Sequence, residues 1–119
     1  MKDTRVETMN LLDIQKLARS AEANAGEAMT LRARGLGLDD FPDFAKREAQ
    51  RTNYYAKCSR LAAREARLAN SLGDTRAMQF FAAEAQRMSV AAVEALVRMR
   101  NVVNEYFAKK VEEGEAAGS

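Results

Sequence analysis

The fold of this chain is decided by two short stretches that can stop a helix. They are Gly35-Leu36-Gly37-Leu38-Asp39-Asp40-Phe41-Pro42 and Ser71-Leu72-Gly73-Asp74. The rest of the chain is rich in helix-favouring Ala, Arg, Glu, Leu and Met, and its only proline lies in the first stretch. The sequence therefore predicts an all-α, elongated three-helix bundle, antiparallel and coiled-coil-like, with helices at about residues 4–34, 41–72 and 74–111.

Length and composition predict one helical domain with a thin core. The 119 residues fit a single domain over residues 1–111, followed by a flexible tail over residues 112–119 that is rich in Gly, Ala and Glu. Hydrophobic residues make up 47% of the chain, but 23 of these residues are alanines. Because an alanine side chain buries only one methyl group, we expect the monomer to be short of buried apolar area.

The chain contains no histidine and a single cysteine, Cys58. Histidine is the commonest general base and metal ligand, and one thiol forms neither an internal disulfide nor a zinc site. We therefore predict a protein that is not an enzyme, with no catalytic residue, cofactor or metal, and with Cys58 as a small buried side chain.

The same features predict a cytoplasmic location. The lone thiol suits a reducing compartment, the first ten residues do not resemble a signal peptide, and no apolar run is long enough to span a membrane. We expect no membrane partner. The bias towards Arg over Lys and towards Ala hints at a bacterial or phage genome.

Residues at the two breaks predict how the helices end and pair. Gly35 is expected to end the first helix, Asp40 to cap the second and Asp74 to cap the third. The short Gly73-Asp74 junction makes the second and third helices an antiparallel hairpin. Counting outward from that junction places Phe80 and Phe81 level with Ala66, and Tyr54 and Tyr55 level with Ala91 and Ala92. The same counting predicts an aromatic cluster of Phe41, Phe44, Tyr106 and Phe107.

The second helix carries two stripes of residues that could be buried. Its core stripe is predicted to be Tyr54, Cys58, Leu61, Leu68 and Leu72, which share one helical face. A second flank consists of small residues, Ala45, Ala49, Ala56 and Ala63. Small side chains at heptad spacing let another helix approach closely, so we expect the first helix to pack on this alanine flank.

The third helix carries a second apolar stripe in addition to its main buried face. Its main buried face is predicted to be Ala77, Phe81, Met88, Ala92, Ala95, Met99, Val103 and Tyr106. A separate stripe of Val90, Val93 and Val97 either receives the first helix or lies exposed as an oligomer or partner interface. Glu94 and Arg98 are expected to pair within the helix.

Positive charge is concentrated in the second helix. Residues 41–73 hold seven basic and three acidic residues, whereas each of the flanking segments holds six basic and seven acidic residues. One flank carries Lys46, Asn53, Lys57, Arg60, Arg64 and Arg67. This row is typical of a solvated helix face, and it could also follow a phosphate backbone or meet an acidic protein surface.

These features favour a non-enzymatic protein–protein interaction module, such as an adaptor, an assembly subunit or a small inhibitor that covers a partner's surface. We expect a protein partner of unknown identity and a homo-oligomer. The alternative function is nucleic-acid binding through the basic flank formed by Lys46, Lys57, Arg60, Arg64 and Arg67.

Overall fold

The computed structural model describes residues 9–118, with side chains as far as Gly114. It contains three α-helices, which we number α1 (Leu11–Arg34), α2 (Asp43–Ser71) and α3 (Thr75–Gly118). The three helices pack against one another in an elongated bundle, and no strand occurs within residues 9–118. The predicted all-α, elongated three-helix bundle is confirmed.

The first helix begins later than the sequence predicted. Asn10 is its N-cap: the Asn10 side-chain oxygen accepts a hydrogen bond from the Asp13 amide at 2.9 Å. The predicted start at Thr4 is therefore wrong for residues 9 and 10, and residues 4–8 lie outside the described part of the chain. At the other end, Gly35 follows the last turn as predicted, and its amide donates to the Arg32 carbonyl at 2.9 Å.

An aromatic cluster packs the connection from α1 to α2 against α3. The Phe41 ring is 3% exposed and lies 5.4 Å from the Tyr106 ring and 6.3 Å from the Phe107 ring, measured between centroids. The Arg34 guanidinium lies 4.4 Å from the centre of the Phe107 ring. Three of the four predicted rings meet. Phe44 is 37% exposed and makes no ring contact with the other three, so its predicted place in the cluster is wrong.

Asp40 ties this connection to α3 and does not cap α2. The helix begins at Asp43 after Pro42, without a side-chain cap, so the predicted role of Asp40 is wrong. Its carboxylate instead accepts hydrogen bonds from the Tyr106 hydroxyl and the Lys110 ammonium, both at 2.6 Å. The bond from Lys110 and then that from Tyr106 lower the pKa of Asp40, and the same contacts raise the pKa values of Tyr106 and Lys110.

The hairpin between α2 and α3 turns at Gly73, which has a φ of 75°. The Asp74 amide donates to the Ala69 carbonyl at 2.9 Å and the Gly73 amide to the Asn70 carbonyl at 3.1 Å, a Schellman arrangement that ends α2. The Asp74 side chain then accepts from the Ala77 amide at 3.1 Å and caps α3, as predicted. The helix does not end at Val111. It continues to Gly118, through residues predicted to be a tail.

Contacts across the hairpin confirm the predicted register. Phe81 packs on the cluster that contains Ala66, and Tyr55 packs on the cluster that contains Ala92. Between these levels, the buried Ser59 hydroxyl donates to the Ala85 carbonyl at 3.0 Å. A shift by one helical turn would break all three contacts.

The core is built mainly from alanine. Of the twenty buried hydrophobic residues in the described chain, fifteen are alanines. The larger ones are Ile14, Phe41, Leu96, Met99 and Val103. The predicted alanine flank of α2 is buried, and α1 packs against it through Ala18, Ala21 and Ala25, as expected. On α3, the centre of the predicted main face is buried from Ala92 to Val103.

The two helix-associated glycines Gly26 and Gly35 should respond oppositely to replacement by alanine. A Cβ atom on Gly35 would overlap the Phe41 ring, although the backbone at Gly35 is in the ordinary right-handed region. Gly35→Ala should therefore destabilise the protein by about 1–3 kcal/mol. A Cβ atom on Gly26 meets nothing within 4 Å, so Gly26→Ala should stabilise it by about 0.5–1 kcal/mol. Urea unfolding of both variants measures the difference, and a neutral Gly35→Ala variant would contradict the ring contact.

The Asp40 contacts should be lost in acid. Because the pKa of Asp40 is lowered in the folded protein, its contribution to stability is present above the unfolded-state pKa of about 4 and is lost as the pH falls through the folded-state pKa. Amide hydrogen exchange of residues 35–42 should therefore accelerate in acid relative to the centre of α2. Asp40→Asn is the control. Its exchange should already be faster at pH 7 and should lack the acid-dependent step.

Candidate interaction surfaces

The predicted core stripe of α2 is wrong, because its large residues face solvent. Tyr54, Leu61, Leu68 and Leu72 are all exposed, and Leu72 is 74% exposed. With the half-buried Cys58 and the exposed Glu65, they form a row at alternating steps of four and three residues. We call Tyr54, Cys58, Leu61, Glu65, Leu68 and Leu72 the leucine stripe. Since the alanines on the opposite side of α2 are buried, the helix has its small residues inside and its large ones outside.

The end of the leucine stripe nearest the middle of α2 is aromatic. The Tyr54 and Tyr55 rings meet edge to face at 5.7 Å between centroids. Hydrogen bonding with the Cys58 side chain, followed by the charge of that group when ionised, raises the pKa of Tyr54. Cys58 is only half buried.

Three residues of the predicted basic flank, Arg60, Arg64 and Arg67, line a groove between α1 and α2. Lys57 lines a neighbouring depression and Lys46 lies by the α1–α2 connection, so the flank is not brought together as one site. Arg60 pairs with Glu22 of α1 at 3.1 Å, and Lys46 pairs with Asp43 at 3.6 Å. Within residues 9–114, no ion pair involves Lys57, Arg64 or Arg67. The structure adds a residue that the sequence reading missed: Arg19 of α1 lines the same groove. The groove is lined by Gln15, Ala18, Arg19, Arg60, Ala63, Arg64 and Arg67. The sequence did not indicate Arg19, because α1 and α2 are not joined by a short turn from which their relative levels can be counted.

The valine stripe of α3 is exposed and is not covered by α1. Val93 is 42% exposed, and Val90 and Val97 are similarly open. These valines belong to a longer exposed row at steps of three and four residues, which we call the α3 seam. It consists of Ala83, Gln86, Val90, Val93, Val97, Asn101, Asn104, Ala108 and Val111. The α3 seam therefore runs along most of the helix.

A buried carboxylate joins α2 to α3. Glu48 is fully buried, and its carboxylate is bound by the half-exposed guanidinium groups of Arg51 and Arg98. The Arg98 Nε and terminal nitrogen both lie 3.0 Å from the Glu48 Oε1 atom. The expected pairing of Arg98 with Glu94 is therefore wrong, because Arg98 reaches across the helix interface. Two N–H groups of Arg98 converge on one oxygen of a buried carboxylate, which makes this bond stronger than an exposed pair along one helix.

Both oxygens of the Glu48 carboxylate are engaged, one by Arg51 and the other by Arg98. Within the described residues, no group of three or more His, Cys, Asp or Glu side chains is placed to hold a metal ion. None of the described helices has an apolar stretch long enough to cross a bilayer. The surfaces left for recognition are the leucine stripe, the groove between α1 and α2, and the α3 seam.

Comparisons with protein-family models, with curated proteins and with solved structures found no match to this chain. Its class is therefore defined by the fold, a three-helix bundle with an alanine core, and by the three exposed surfaces.

Replacing Arg98 and replacing Glu48 should change the free energy of unfolding by different amounts. Arg98→Met leaves the Glu48 carboxylate buried with only Arg51 as a partner, which should cost about 2–3 kcal/mol. Glu48→Met fills the same space with an apolar side chain and releases two half-exposed arginines to water, so stability should change by less than about 1 kcal/mol. Urea unfolding measures both. Equal losses in the two variants would show that the buried charge is not the cause.

Proposed function

We propose that this chain is a non-enzymatic protein-interaction module that covers an amphipathic, acidic helix of a partner protein. The leucine stripe and the basic flank beside it would form the docking surface. The proposal rests on which residues of α2 are exposed: its alanines are buried, whereas Tyr54, Leu61, Leu68 and Leu72 face outward.

Apolar exposure supports the proposal. Fourteen large hydrophobic residues are exposed in the described chain, compared with the five larger residues of the core. Contiguous exposed apolar surface on a monomer usually marks an interaction site, since each leucine left in water forgoes about 1.5–3 kcal/mol of burial free energy. The four-and-three spacing of the leucine stripe suits another helix with apolar residues at the same spacing.

Charge supports an acidic partner. Lys57 and Arg64 lie beside the leucine stripe on its α1 side, and neither is paired within residues 9–114. Glutamates on the flank of a docking helix would meet these cations and raise the rate of association. We place this binding in a reducing, cytoplasmic setting, because the single Cys58 is a free thiol within the leucine stripe.

A defined pair of peptides tests the proposal. Each peptide carries leucines at heptad positions, and the flanking positions are all glutamate in one peptide and all lysine in the other. The glutamate peptide should bind, and Leu61→Glu should weaken binding at least about tenfold, because it places a charge in the apolar contact. Binding is measured by fluorescence anisotropy with a labelled peptide, at two salt concentrations.

Val93→Glu is the matched control, because Val93 is 42% exposed and Leu61 43%. It should leave peptide binding unchanged. Equal affinity for the two peptides would reject the acidic-partner proposal, and an unaffected Leu61→Glu variant would reject the leucine stripe as the docking surface.

A second candidate function is nucleic-acid binding in the groove between α1 and α2. It is supported by the convergence of Arg19 with Arg60, Arg64 and Arg67 around one groove. Affinity for a duplex or single-stranded oligonucleotide should then fall steeply with salt, and Arg60→Glu combined with Arg64→Glu should abolish binding. Oligonucleotide binding that survives this double reversal would exclude the groove.

A further inference from the structure

We propose that the α3 seam is a self-association interface, in which two copies of this chain pair through antiparallel α3 helices. This interface is separate from the leucine stripe, so it does not depend on the function proposed above. The argument rests on the heptad spacing of the α3 seam, on its position in the bundle and on the distribution of charge beside it.

The α3 seam has the spacing of a coiled-coil contact. Its positions follow one another at steps of three or four residues from Ala83 to Val111, and all of them are exposed. The residues are small, β-branched or amide side chains. Valine and asparagine are typical of helix–helix seams, where asparagine lowers stability but selects one register.

The bundle leaves the α3 seam accessible. Contacts from α3 to α1 are made by Ser89, which donates to the Leu17 carbonyl at 3.3 Å, and by Arg100, which pairs with Glu27 at 2.6 Å. The contact to α2 is made by Arg98, by Ala92 and by the Ala85 carbonyl, which accepts from Ser59. At about 100° per residue, the α3 seam lies on the side of the helix that points away from both neighbours.

Charge decides the direction of pairing. The charged residues Arg87, Glu94, Arg98 and Glu105 all lie along the flank of the α3 seam that is turned towards α2. The opposite flank borders α1 and has Arg100, which is already paired with Glu27. A flank faces its own copy only when the two helices run antiparallel about a twofold axis.

An antiparallel pair centred near residue 95 brings complementary groups to the same level. Arg87 of one copy lies level with Glu105 of the second copy, and Glu94 lies level with Arg98. Arg87 also pairs with Glu84 and Arg98 with Glu48 in the same chain, so each would meet the second carboxylate through its remaining guanidinium N–H groups. Along the α3 seam itself, Val93 meets Val97 of the second copy and Gln86 meets Asn104. At these levels valine meets valine and amide meets amide, whereas Val90 lies level with Asn101 of the second copy. Each of these contacts occurs twice because of the symmetry.

The leucine stripe is not suited to the same role. Its flank on the α1 side carries Lys57 and Arg64, so antiparallel self-pairing would place these cations against a second set of cations. Parallel pairing would bring Lys57 and Arg64 beside the other flank of the leucine stripe in the second copy, which carries Arg51. Like charges therefore oppose self-association through α2, and the geometry assigns the second copy to α3.

Light scattering with size-exclusion chromatography tests the existence of the interface. The wild-type chain at about 100 µM should have the mass of two chains. Val93→Glu should reduce it to the mass of one chain, with unchanged helix content by circular dichroism. Leu61→Glu, at a position of equal exposure on α2, should remain dimeric. A monomeric wild type, or a dimer that persists in Val93→Glu, overturns the proposal.

Disulfide trapping tests the direction of pairing, in a Cys58→Ser background. Chains carrying Gln86→Cys are mixed with chains carrying Asn104→Cys under mild oxidation. Antiparallel pairing predicts a mixed disulfide and little linkage in either variant alone, since two copies of residue 86 would lie about 27 Å apart along the axis. Adding Val93→Glu to both chains should abolish the linkage. Disulfides within each single variant, or no linkage in the mixture, overturn the antiparallel arrangement.

Discussion

Close approach of α2 to both of its neighbours, through alanine side chains, is the constraint on which the rest of the structure depends. Alanines on α1, α2 and α3 bring the three helices close together and leave little space between them for a leucine or tyrosine of α2. Tyr54, Leu61, Leu68 and Leu72 of α2 are consequently outside, as are Val90, Val93 and Val97 of α3. The same packing that builds the core thus creates the exposed surfaces.

An alanine core also has to be held in register by other means. Alanine side chains all have the same size and shape, so apolar contacts alone distinguish poorly between helix registers that differ by one turn. Directional bonds supply the distinction: Arg98 reaches the buried carboxylate of Glu48, and Ser59 donates to the Ala85 carbonyl. At the far end of the bundle, Asp40 holds the α1–α2 connection to Tyr106 and Lys110.

Most local predictions from the sequence succeeded, whereas the predicted burial of the large residues of α2 failed. The Asp40 cap is a local prediction that failed, because Tyr106 and Lys110 of α3 bind its carboxylate. Gly35, Gly73 and Asp74 act as predicted because their effects involve only neighbouring backbone groups. Counting from the tight turn then placed the aromatic residues at the correct levels. The core stripe of α2 was wrong because large apolar side chains were assumed to be inside. That assumption does not hold when small residues on the opposite face permit a closer approach.

The sequence by itself determined the three helices, the hairpin and the excess of positive charge on α2. These follow from helix-stopping residues and from composition, which act along the chain. Only the tertiary structure decided that the large residues of α2 face solvent, that Arg98 binds Glu48, and that Arg19 joins the basic groove. The physical reason is that these outcomes depend on how closely and at what level two helices meet, and both quantities are set jointly by residues that are distant in the chain.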